Sequence, residues 1–426
     1  MNRSGRSPAR LDGVNEGRRG FGECRTAFNR RWLLFVVGAT ACATTDALVG
    51  QYQEPPAEHH PVPDNVPDSG PDASSTEADA GSCADCEYFP ETCTPETFCL
   101  NGPFDPNTAG GSIDLRTQIN VIRGRSPSDV WAAGALGALA HFDGTSWTRS
   151  NPGERETLRA LWLRDSAEIS LGMFERVYAR GAGIADAGAA PSSDGWTVHA
   201  TALPPTAASG WAEFVSAWAP DGSEWLWCAA RAWAPGATNG IWRLRQSPSR
   251  TFEVGTVVAP EVCKTSPCSQ IASIHGASAN DLWAVGLTGA TVRITDATSD
   301  TPNIETFYSQ TWNALNGVWA ASASEAWSVG AMGTIRHYTG QSSFWDVVSN
   351  VPTIEDLNAV WGSSSSDVWA VGDAGVVLHY DGKSWSRVKV AGLGPRRPNL
   401  TTVWVAGPGH VWIGGQGVIL SLGGKP

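Results

Sequence analysis

Apolar and polar residues follow a repeated pattern along most of the chain, and the segment from Leu357 to Trp385 shows it most clearly. The pattern predicts four short strands: Asn358–Gly362, Asp367–Gly372, Val376–Tyr380 and a fourth that begins at Trp385. Glycines in the intervening turns allow positive φ without steric cost, and an Asp-Gly pair before the fourth strand is a strong hairpin signal. The second strand is apolar at successive positions, which predicts a sheet buried on both faces.

The same pattern recurs toward both ends of the chain, and two columns of residues mark it. The first column is Arg123, Trp162, Trp218, His275, Trp319, Trp361 and Trp404, at intervals of 39 to 57 residues. The second column, eight residues further on, is Trp131, Ser170, Leu226, Trp283, Trp327, Trp369 and Trp412. Four strands per repeat at this period are typical of β-propellers. We therefore predict an all-β fold, a seven-bladed β-propeller of four-stranded antiparallel blades over residues 113–426, with both columns in its core.

Composition supports this fold and excludes two other classes. The chain has 21 Trp and 47 Gly among 426 residues, and only 17% of its residues are charged. A long coiled coil would be rich in Ala, Glu, Lys and Leu. A net charge of -12 argues against a polybasic nucleic-acid binder. We expect no nucleic-acid partner.

The repeats resemble known sequences. The motif D-V-W-A-V-G followed by H-Y-D-G-x-S-W, as in Asp367–Trp385, is similar to repeats of surface lipoproteins abundant in myxobacteria. More distantly it resembles bacterial neuraminidase (BNR) repeats and the photosystem assembly-factor propellers. The resemblance covers Ile119 to the C-terminus and implies a propeller fold.

The N-terminal segment predicts export. Within residues 1–42, Arg30-Arg31 precedes a short apolar run that ends in Ala39-Thr40-Ala41-Cys42. Eleven residues of helix are too short to cross a bilayer, whereas a basic flank with a short apolar core is typical of an export signal. The end of the run resembles a bacterial lipobox, which implies lipidation of Cys42; ordinary cleavage after Ala41 is the alternative. We expect an outer-membrane or cell-surface lipoprotein, or otherwise a periplasmic or secreted protein, that meets the membrane through its lipid anchor only.

Residues 43–82 predict a disordered acidic stalk rich in proline, because low hydrophobicity with high net charge leaves too little surface to bury. Residues 83–112 form a cysteine-rich segment that contains Cys83, Cys86, Cys93 and Cys99. In an exported protein this spacing favours disulfides over zinc. We also predict a disulfide between Cys263 and Cys268, and a buried free thiol at Cys228.

Repeated polar residues raise two further hypotheses. An acid stands two residues before the second column in six repeats: Asp129, Glu168, Glu224, Asp281, Glu325 and Asp367. Calcium binding is one interpretation, and capping of the backbone of the adjacent turn is the one we favour. His141, His337 and His379 recur on the third strand, too far apart across blades to share a zinc ion. We expect no metal and no cofactor.

Catalytic motifs are not evident in the sequence. Sialidase activity would need three Arg, a Tyr nucleophile with its Glu and an Asp acid, a set that the sequence does not offer at matching motifs. It also contains no G-x-S-x-G, Walker or H-E-x-x-H motif. We assign no catalytic residue.

The ligand-binding residues are predicted from loops inserted on one face, which carries the turns between second and third strands and the links between blades. The candidates are Arg231, Trp233, Lys264, Phe174, Arg176, Arg396 and Arg397. We predict a non-catalytic binding or scaffold propeller for a protein or glycan at the cell envelope. The alternatives are a glycan-acting hydrolase or lyase and an assembly factor for an envelope complex.

The chain ends before a fourth strand of the last blade can form. We therefore predict that residues before blade 1 supply that strand, either around Phe104 or within Ser112–Thr117, since an unpaired edge would leave the ring open.

Overall fold

The computed structural model describes residues 85–104, 112–183, 190–204, 212–232, 240–249, 251–263, 268 and 270–425. The chain divides into the units Met1–Thr76 and Glu77–Pro426, and every described residue belongs to the second. The predicted export signal with Cys42, the acidic stalk and Cys83 lie outside the described residues, as do Trp233 and Lys264. These assignments remain predictions.

The described ranges contain 28 strands, which fall into seven antiparallel groups of four. Five groups are separate sheets, and the other two join into one eight-stranded sheet through a short parallel pairing of Phe252 and Glu253 with Thr201 and Ala202. We call these groups blades 1 to 7, in the chain order of their first strands. Blade 1 consists of Ile119–Ser126, Asp129–Gly134, Leu139–Phe142 and Trp147–Arg149. Blade 2 consists of Ala160–Arg164, Ala167–Leu171, Arg176–Arg180 and Thr197–Ala202. Blade 3 consists of Ala212–Trp218, Leu226–Ala232, Gly240–Gln246 and Phe252–Val258.

The remaining blades repeat this arrangement. Blade 4 consists of Ile271–Ser278, Asp281–Gly286, Thr291–Thr295 and Asn303–Thr306. Blade 5 consists of Leu315–Ser322, Glu325–Gly330, Thr334–Tyr338 and Asp346–Val347. Blade 6 consists of Leu357–Ser364, Asp367–Gly372, Val377–Tyr380 and Trp385–Arg387. Blade 7 consists of Leu400–Gly407, His410–Gly415, Val418–Leu422 and, from earlier in the chain, Phe98–Leu100.

Helical structure is confined to single turns in the described residues. They comprise one α-helical turn, Pro260–Cys263, and the 3-10 turns Cys86–Tyr88, Ala135–Gly137, Leu287–Gly289 and Asp373–Gly375. No helix among the described residues is long and apolar enough to cross a membrane. The predicted all-β propeller class with four-stranded antiparallel blades is confirmed.

The blades form a ring. The first strand of each blade packs on the first strand of the next, and that of blade 7 packs on that of blade 1. A side chain near the start of the first strand joins neighbouring blades at several of these contacts. Asn316 Nδ2 donates to the carbonyl of Leu357 (3.0 Å), and Asn358 Nδ2 donates to that of Leu400 (2.9 Å). The Thr401 hydroxyl donates to the carbonyl of Ile119, which joins blade 7 to blade 1.

Closure of the ring uses the cysteine-rich segment. Phe98–Leu100 pairs antiparallel with the third strand of blade 7, with Phe98 opposite Leu422. The sequence correctly predicted that residues before blade 1 supply this strand, but both proposed segments were wrong. Phe104 instead packs against the core between blades 7 and 1, and Ser112–Thr117 precedes the first strand of blade 1. The Phe98–Leu100 segment is apolar, and its buried Phe98 ring packs on Trp369 of blade 6, which fixes the strand in this place.

The second column is buried as predicted, and so is the first except for Arg123 and Trp361, which are partly buried. The second-column tryptophans Trp131, Trp283, Trp327 and Trp412 are among the largest fully buried side chains. The second strand of blade 6 ends at Gly372, where a Cβ atom would overlap the carbonyl oxygen of Asp356. Equivalent glycines meet the chain in the same way in other blades: Gly134, Gly286, Gly330 and Gly415. A side chain at this position would push the second strand away from the first.

Candidate functional site

The first strands leave a central channel, which aromatic and basic side chains of the first column fill. The Trp361 ring lies near its middle and contacts residues from two distant blades. The guanidinium carbon of Arg123 is 4.3 Å from its centroid, and the ring of His275 meets it edge to face at 4.8 Å. Further along the channel, blades 1 to 7 leave a cavity of about 130 Å³. The channel is therefore closed by an aromatic cluster rather than open from end to end.

Arg123 carries a charge that the described residues do not neutralise with a carboxylate. Its one hydrogen bond among these residues runs from Nη1 to the carbonyl of Ile122 (2.7 Å). Burial lowers the pKa of Arg123 to about 10. The guanidinium nevertheless remains charged at neutral pH, and its other N–H groups have no acceptor among the described residues.

His275 is neutral in this environment. Its Nδ1 accepts a hydrogen bond from the backbone N–H of Ala320 (3.1 Å), so the neutral ring carries its proton on Nε2. Burial, reinforced by the charge of Arg123, holds the pKa of His275 well below its usual range. His275 therefore contributes a polar but uncharged edge to the channel.

The two ends of the ring differ. We call the end with the links and the turns between second and third strands the link face, and the opposite end the hairpin face. On the link face, the turn that contains Gly137 donates to the carbonyl of Glu156 in the next link, and Gly375 does so to Pro398. These contacts place turns and links together, as the sequence predicted.

At the hairpin face the channel opens into a cavity of about 510 Å³ between blades 1, 2, 3, 6 and 7. Arg123 lines it, and its walls include the indole rings of Trp162, Trp218, Trp361 and Trp404. The other charged residues that line it are Arg125, Arg164, Asp165 and Asp221. Arg125 pairs with Glu168 (2.8 Å) and Asp129 (3.0 Å), and Arg164 bonds to Gln246 and stacks over Trp162. We call this cavity the mouth cavity.

The repeated acids pair with basic side chains on the third strand. Asp129 and Asp367 bond His141 and His379, each at 2.8 Å, and Asp281 binds Arg293 at 2.9 Å. Glu168, Glu224 and Glu325 pair with Arg180, Arg245 and His337 in the same way. The prediction that these acids cap the backbone of their turns is wrong in its mechanism. The turns are instead capped by serine hydroxyls that accept a backbone N–H two residues on: Ser126, Ser278, Ser322 and Ser364.

The repeated histidines complete these pairs against the core. The rings of His141, His337 and His379 stack on the second-column tryptophans of their own blades at 3.8 to 4.4 Å between centroids. Burial opposes ionisation of Asp367, but hydrogen bonds from His379, Ser363 and Trp369 outweigh it and lower its pKa. No group of three or more His, Cys, Asp or Glu in the described part of the chain is placed to hold a metal ion. Each acid–base–tryptophan unit is part of the blade framework.

The loop residues predicted to bind a ligand are scattered, and several take part in internal contacts. Arg231 binds Glu213 at 2.7 Å, and Glu213 also binds Arg159. The ring of Phe174 is buried against Phe214 and Trp242, so it offers no surface to a ligand.

The other described candidates lie elsewhere on the molecule. Arg176 is exposed, with a long 3.9 Å ion pair to Glu156. Arg396 donates to the carbonyl of Gly417 (3.1 Å). Arg397 binds Asp85 (3.0 Å) and lies 3.7 Å from the centre of the Phe89 ring, so it fastens the cysteine-rich segment to blade 6.

A different part of the link face exposes apolar side chains. Trp312, Ile354 and Met332 are 88%, 85% and 71% exposed, and Leu287 is half-exposed. The loops that carry these residues contact one another in order around the ring. Gly289 lies against Thr311, Asn313 Nδ2 bonds Thr334 Oγ1 (2.9 Å), and Met332 N–H donates to Asp356 (2.8 Å). We call Leu287, Trp312, Met332 and Ile354 the apolar patch.

Disulfides join two cysteine pairs among the described residues. Cys93 is bonded to Cys99, and Cys263 to Cys268, as predicted for the second pair. Cys86 is also disulfide-bonded. Cys228 is a buried free thiol, as predicted, and burial raises its pKa.

The architecture defines a β-propeller, and solved structures of that class are similar to it. A structure described as "YCF48 from Cyanidioschyzon merolae" has a TM-score of 0.54 and 13% sequence identity, and covers 72% of this chain and 96% of its own. "YCF48 bound to D1 peptide" has a TM-score of 0.53 and 12% identity, with 78% and 96% covered. YCF48 is a photosystem assembly factor. No protein-family model matches the sequence, and no curated protein matches it.

At these identities the likeness concerns the fold. The chain resembles assembly-factor propellers, as the sequence predicted, whereas its resemblance to myxobacterial lipoproteins and BNR repeats stays a prediction. Sequence reasoning missed both the apolar patch and the exceptional surroundings of Arg123. A signal for Arg123 was available, because it is the one cation in a column of tryptophan and histidine.

Proposed function

We propose that this protein is a non-catalytic propeller that binds a protein partner at the cell envelope, through the apolar patch on its link face. The observation that carries the proposal is the near-complete exposure of Trp312 and Ile354 on adjoining loops. Exposed aromatic and aliphatic side chains that cluster on one surface are typical of protein interaction sites.

The chemistry of the patch limits the partner. Glu355 and Asp356 adjoin Ile354 in the same link, and the net charge of the chain is -12. The nearby Arg336 is buried, with its guanidinium bonded to the carbonyls of Ser309 and Gln310. We therefore propose an apolar partner segment flanked by basic residues, whose charges would complement the acids at the edge of the patch.

The glycan-hydrolase alternative would require carboxylates and arginines that converge at the channel. At the mouth cavity, Asp129 and Glu168 are engaged by Arg125, and Asp165 and Asp221 lie exposed at the rim. Glycoside hydrolysis uses two carboxyl groups on either side of one bond, and Asp165 and Asp221 are the pair that this alternative would use.

An assembly-factor role is the second candidate. It is favoured by the similarity in fold to YCF48, one structure of which is described as bound to a D1 peptide. A scaffold and an assembly factor differ in the duration of contact: an assembly factor would leave its partner once the envelope complex is complete.

Site-specific photo-crosslinking in cells tests the proposal. We expect a crosslinker at position 312 or 354 to capture one and the same protein, and a crosslinker at Lys383, on the hairpin face, not to capture it. With that partner purified, Trp312→Ser and Ile354→Ser should each weaken binding at least tenfold, while Lys383→Ser leaves it unchanged. Equal capture from all three positions, or hydrolysis of a glycan by the full chain, would refute the proposal.

A further inference from the structure

The mouth cavity on the hairpin face has features that the framework of the propeller does not require. Six first-column positions hold tryptophan or histidine, whose rings pack the centre of the ring. In blade 1 the equivalent position is Arg123, which brings a positive charge into this aromatic cluster. Arg123 is partly buried, and removing a cation from water without a counter-ion costs free energy. This cost calls for an explanation beyond packing.

Arg125 and Arg164 line the same cavity, and each donates a hydrogen bond to another side chain, whereas Arg123 donates only to a backbone carbonyl. Arg125 pairs with two carboxylates, and Arg164 bonds to Gln246 and stacks on Trp162. For Arg123, one backbone carbonyl and the face of Trp361 are the contacts among the described residues. The guanidinium carbon lies over the Trp361 ring, and apart from the bond to Ile122 its N–H groups have no hydrogen-bond acceptor among the described residues. These groups form the planar fork that binds carboxylates by two parallel hydrogen bonds.

We propose that the mouth cavity is a binding site for a carboxylate attached to a flat apolar group, with Arg123 bound to the carboxylate and the surrounding indoles packed on the apolar group. The volume of about 510 Å³ lies in the range of ligand pockets. The walls formed by Trp162, Trp218 and Trp404 supply the aromatic surface that such a ligand would cover. This site is separate from the apolar patch, which lies on the opposite face.

A monoanion fits better than a phosphate group. Among the described residues, Arg123 and Arg164 have no carboxylate partner, but Asp165 and Asp221 also line the cavity. Their negative charges oppose a phosphate monoester, which carries about -1.5 to -2 at neutral pH, more strongly than a single carboxylate. Neutral His275 adds no second charge on the channel side of Trp361. The same carboxylate chemistry occurs in free aryl acids and at the C-terminus of a peptide chain that ends in an aromatic residue.

Fluorine NMR of 4-fluorobenzoate with the full chain tests the site. We expect saturable binding that weakens as salt is added, and no saturable binding of 4-fluorobenzyl alcohol, which lacks the charge. Arg123→Gln should weaken the binding of 4-fluorobenzoate at least tenfold. Arg149→Gln removes an exposed arginine of the outer strand of blade 1 and should bind as the unaltered chain does.

Two further measurements keep the test decisive. If Arg123→Gln does not fold, Arg123→Lys retains the charge without the fork and should bind at least fivefold more weakly. Competition by Gly-Gly-Phe, with its amidated form as control, separates the two ligand sources. Displacement by the free tripeptide at a lower concentration than unlabelled benzoate assigns the site to a chain terminus, and the reverse order assigns it to a free aryl acid.

Three results would overturn the inference. The first is the absence of saturable binding of both 4-fluorobenzoate and Gly-Gly-Phe at millimolar concentration. The second is an affinity of Arg123→Gln for 4-fluorobenzoate equal to that of the unaltered chain. The third is displacement of 4-fluorobenzoate by inorganic phosphate at a lower concentration than by benzoate. Each of these outcomes would leave the partner proposed for the apolar patch unaffected.

Discussion

The imidazole of His275 links the stability of the propeller to pH at the scale of a single residue. Its pKa in the folded chain is held well below 6.5 by burial, with Arg123 contributing. In the unfolded chain the ring takes up a proton near pH 6.5. The unfolded state therefore binds more protons below that pH, and the free energy of unfolding falls as the pH is lowered.

We predict that His275→Gln reduces this dependence on pH. The unaltered chain should lose up to about 1.4 kcal/mol of unfolding free energy per pH unit from this residue below pH 6.5. Glutamine can still accept from Ala320 N–H but does not titrate, so its plot of free energy against pH should be flatter between pH 7 and pH 5. Urea unfolding of both chains at a series of pH values measures this dependence of the unfolding free energy on pH.

At pH 8 the imidazole is neutral in both the folded and the unfolded chain. The difference in unfolding free energy between His275→Gln and the unaltered chain at that pH therefore measures the cost of altered packing alone. Burial also lowers the pKa values of His199 and His337, so part of the pH dependence will remain in the variant. Identical slopes for the two chains between pH 7 and pH 5 would contradict the prediction.

At the scale of the element, the end of the second strand depends on the absence of a side chain. We predict that Gly372→Ala destabilises the protein by about 1–3 kcal/mol, as overpacking typically does, because the new Cβ would meet the carbonyl of Asp356. Gly407, at the end of the first strand of blade 7, has open space around it. Gly407→Ala is the matched control, and its melting temperature should stay near that of the unaltered chain. Similar losses in both variants would argue against the close approach as the cause.

The closing strand offers a second test at this scale. Phe98 is fully buried and meets Trp369 edge to face at 5.4 Å, whereas Leu100 on the same strand is 50% exposed. We predict that Phe98→Ala costs about 3–5 kcal/mol of unfolding free energy, as other buried aromatic truncations do. Leu100→Ala should cost much less. Thermal unfolding distinguishes the two, and equal effects would mean that the strand does not close blade 7.

The same closure has a consequence for the whole molecule, because one short segment joins the two ends of the ring. A chain that starts at Ile119 lacks Phe98–Leu100 and the Arg397–Asp85 pair, so it should unfold at a lower temperature than one that starts at Gly81. The unpaired third strand of blade 7 would also be open to association with other chains. Equal melting temperatures would refute this role of the segment.

Attachment to the envelope is a further prediction for the whole molecule. We propose that lipidation of Cys42 anchors the protein and that residues 43–82 act as a spacer between the membrane and the propeller. Cys42→Ala should then move the protein from the membrane fraction to the soluble fraction, as immunoblots of fractionated cells would show. Unchanged membrane association of the variant would refute the proposal that Cys42 anchors the protein.

Repetition let the sequence alone predict the propeller. Each strand places its tryptophan in the core for reasons that are local and recur, and the Asp-Gly and Gly-rich turns need only nearby residues. The buried columns, the four-stranded blades, the Cys263–Cys268 bond and the need for a closing strand all follow from such local patterns. The pairing of Asp129 with His141 was missed because neither residue indicates which neighbour across the sheet it faces.

Only the tertiary structure decided which distant residues meet. Phe98 reaches blade 7 across more than 300 positions of sequence, and a short, irregular strand carries no periodic signal of its own. Arg123, His275 and Trp361 come from blades 1, 4 and 6 and meet because the ring brings every first strand to one axis. The apolar patch likewise combines turns and links of adjacent blades. Contacts that depend on the closure of the ring are set by geometry across the whole chain, so local patterns in the sequence could not specify them.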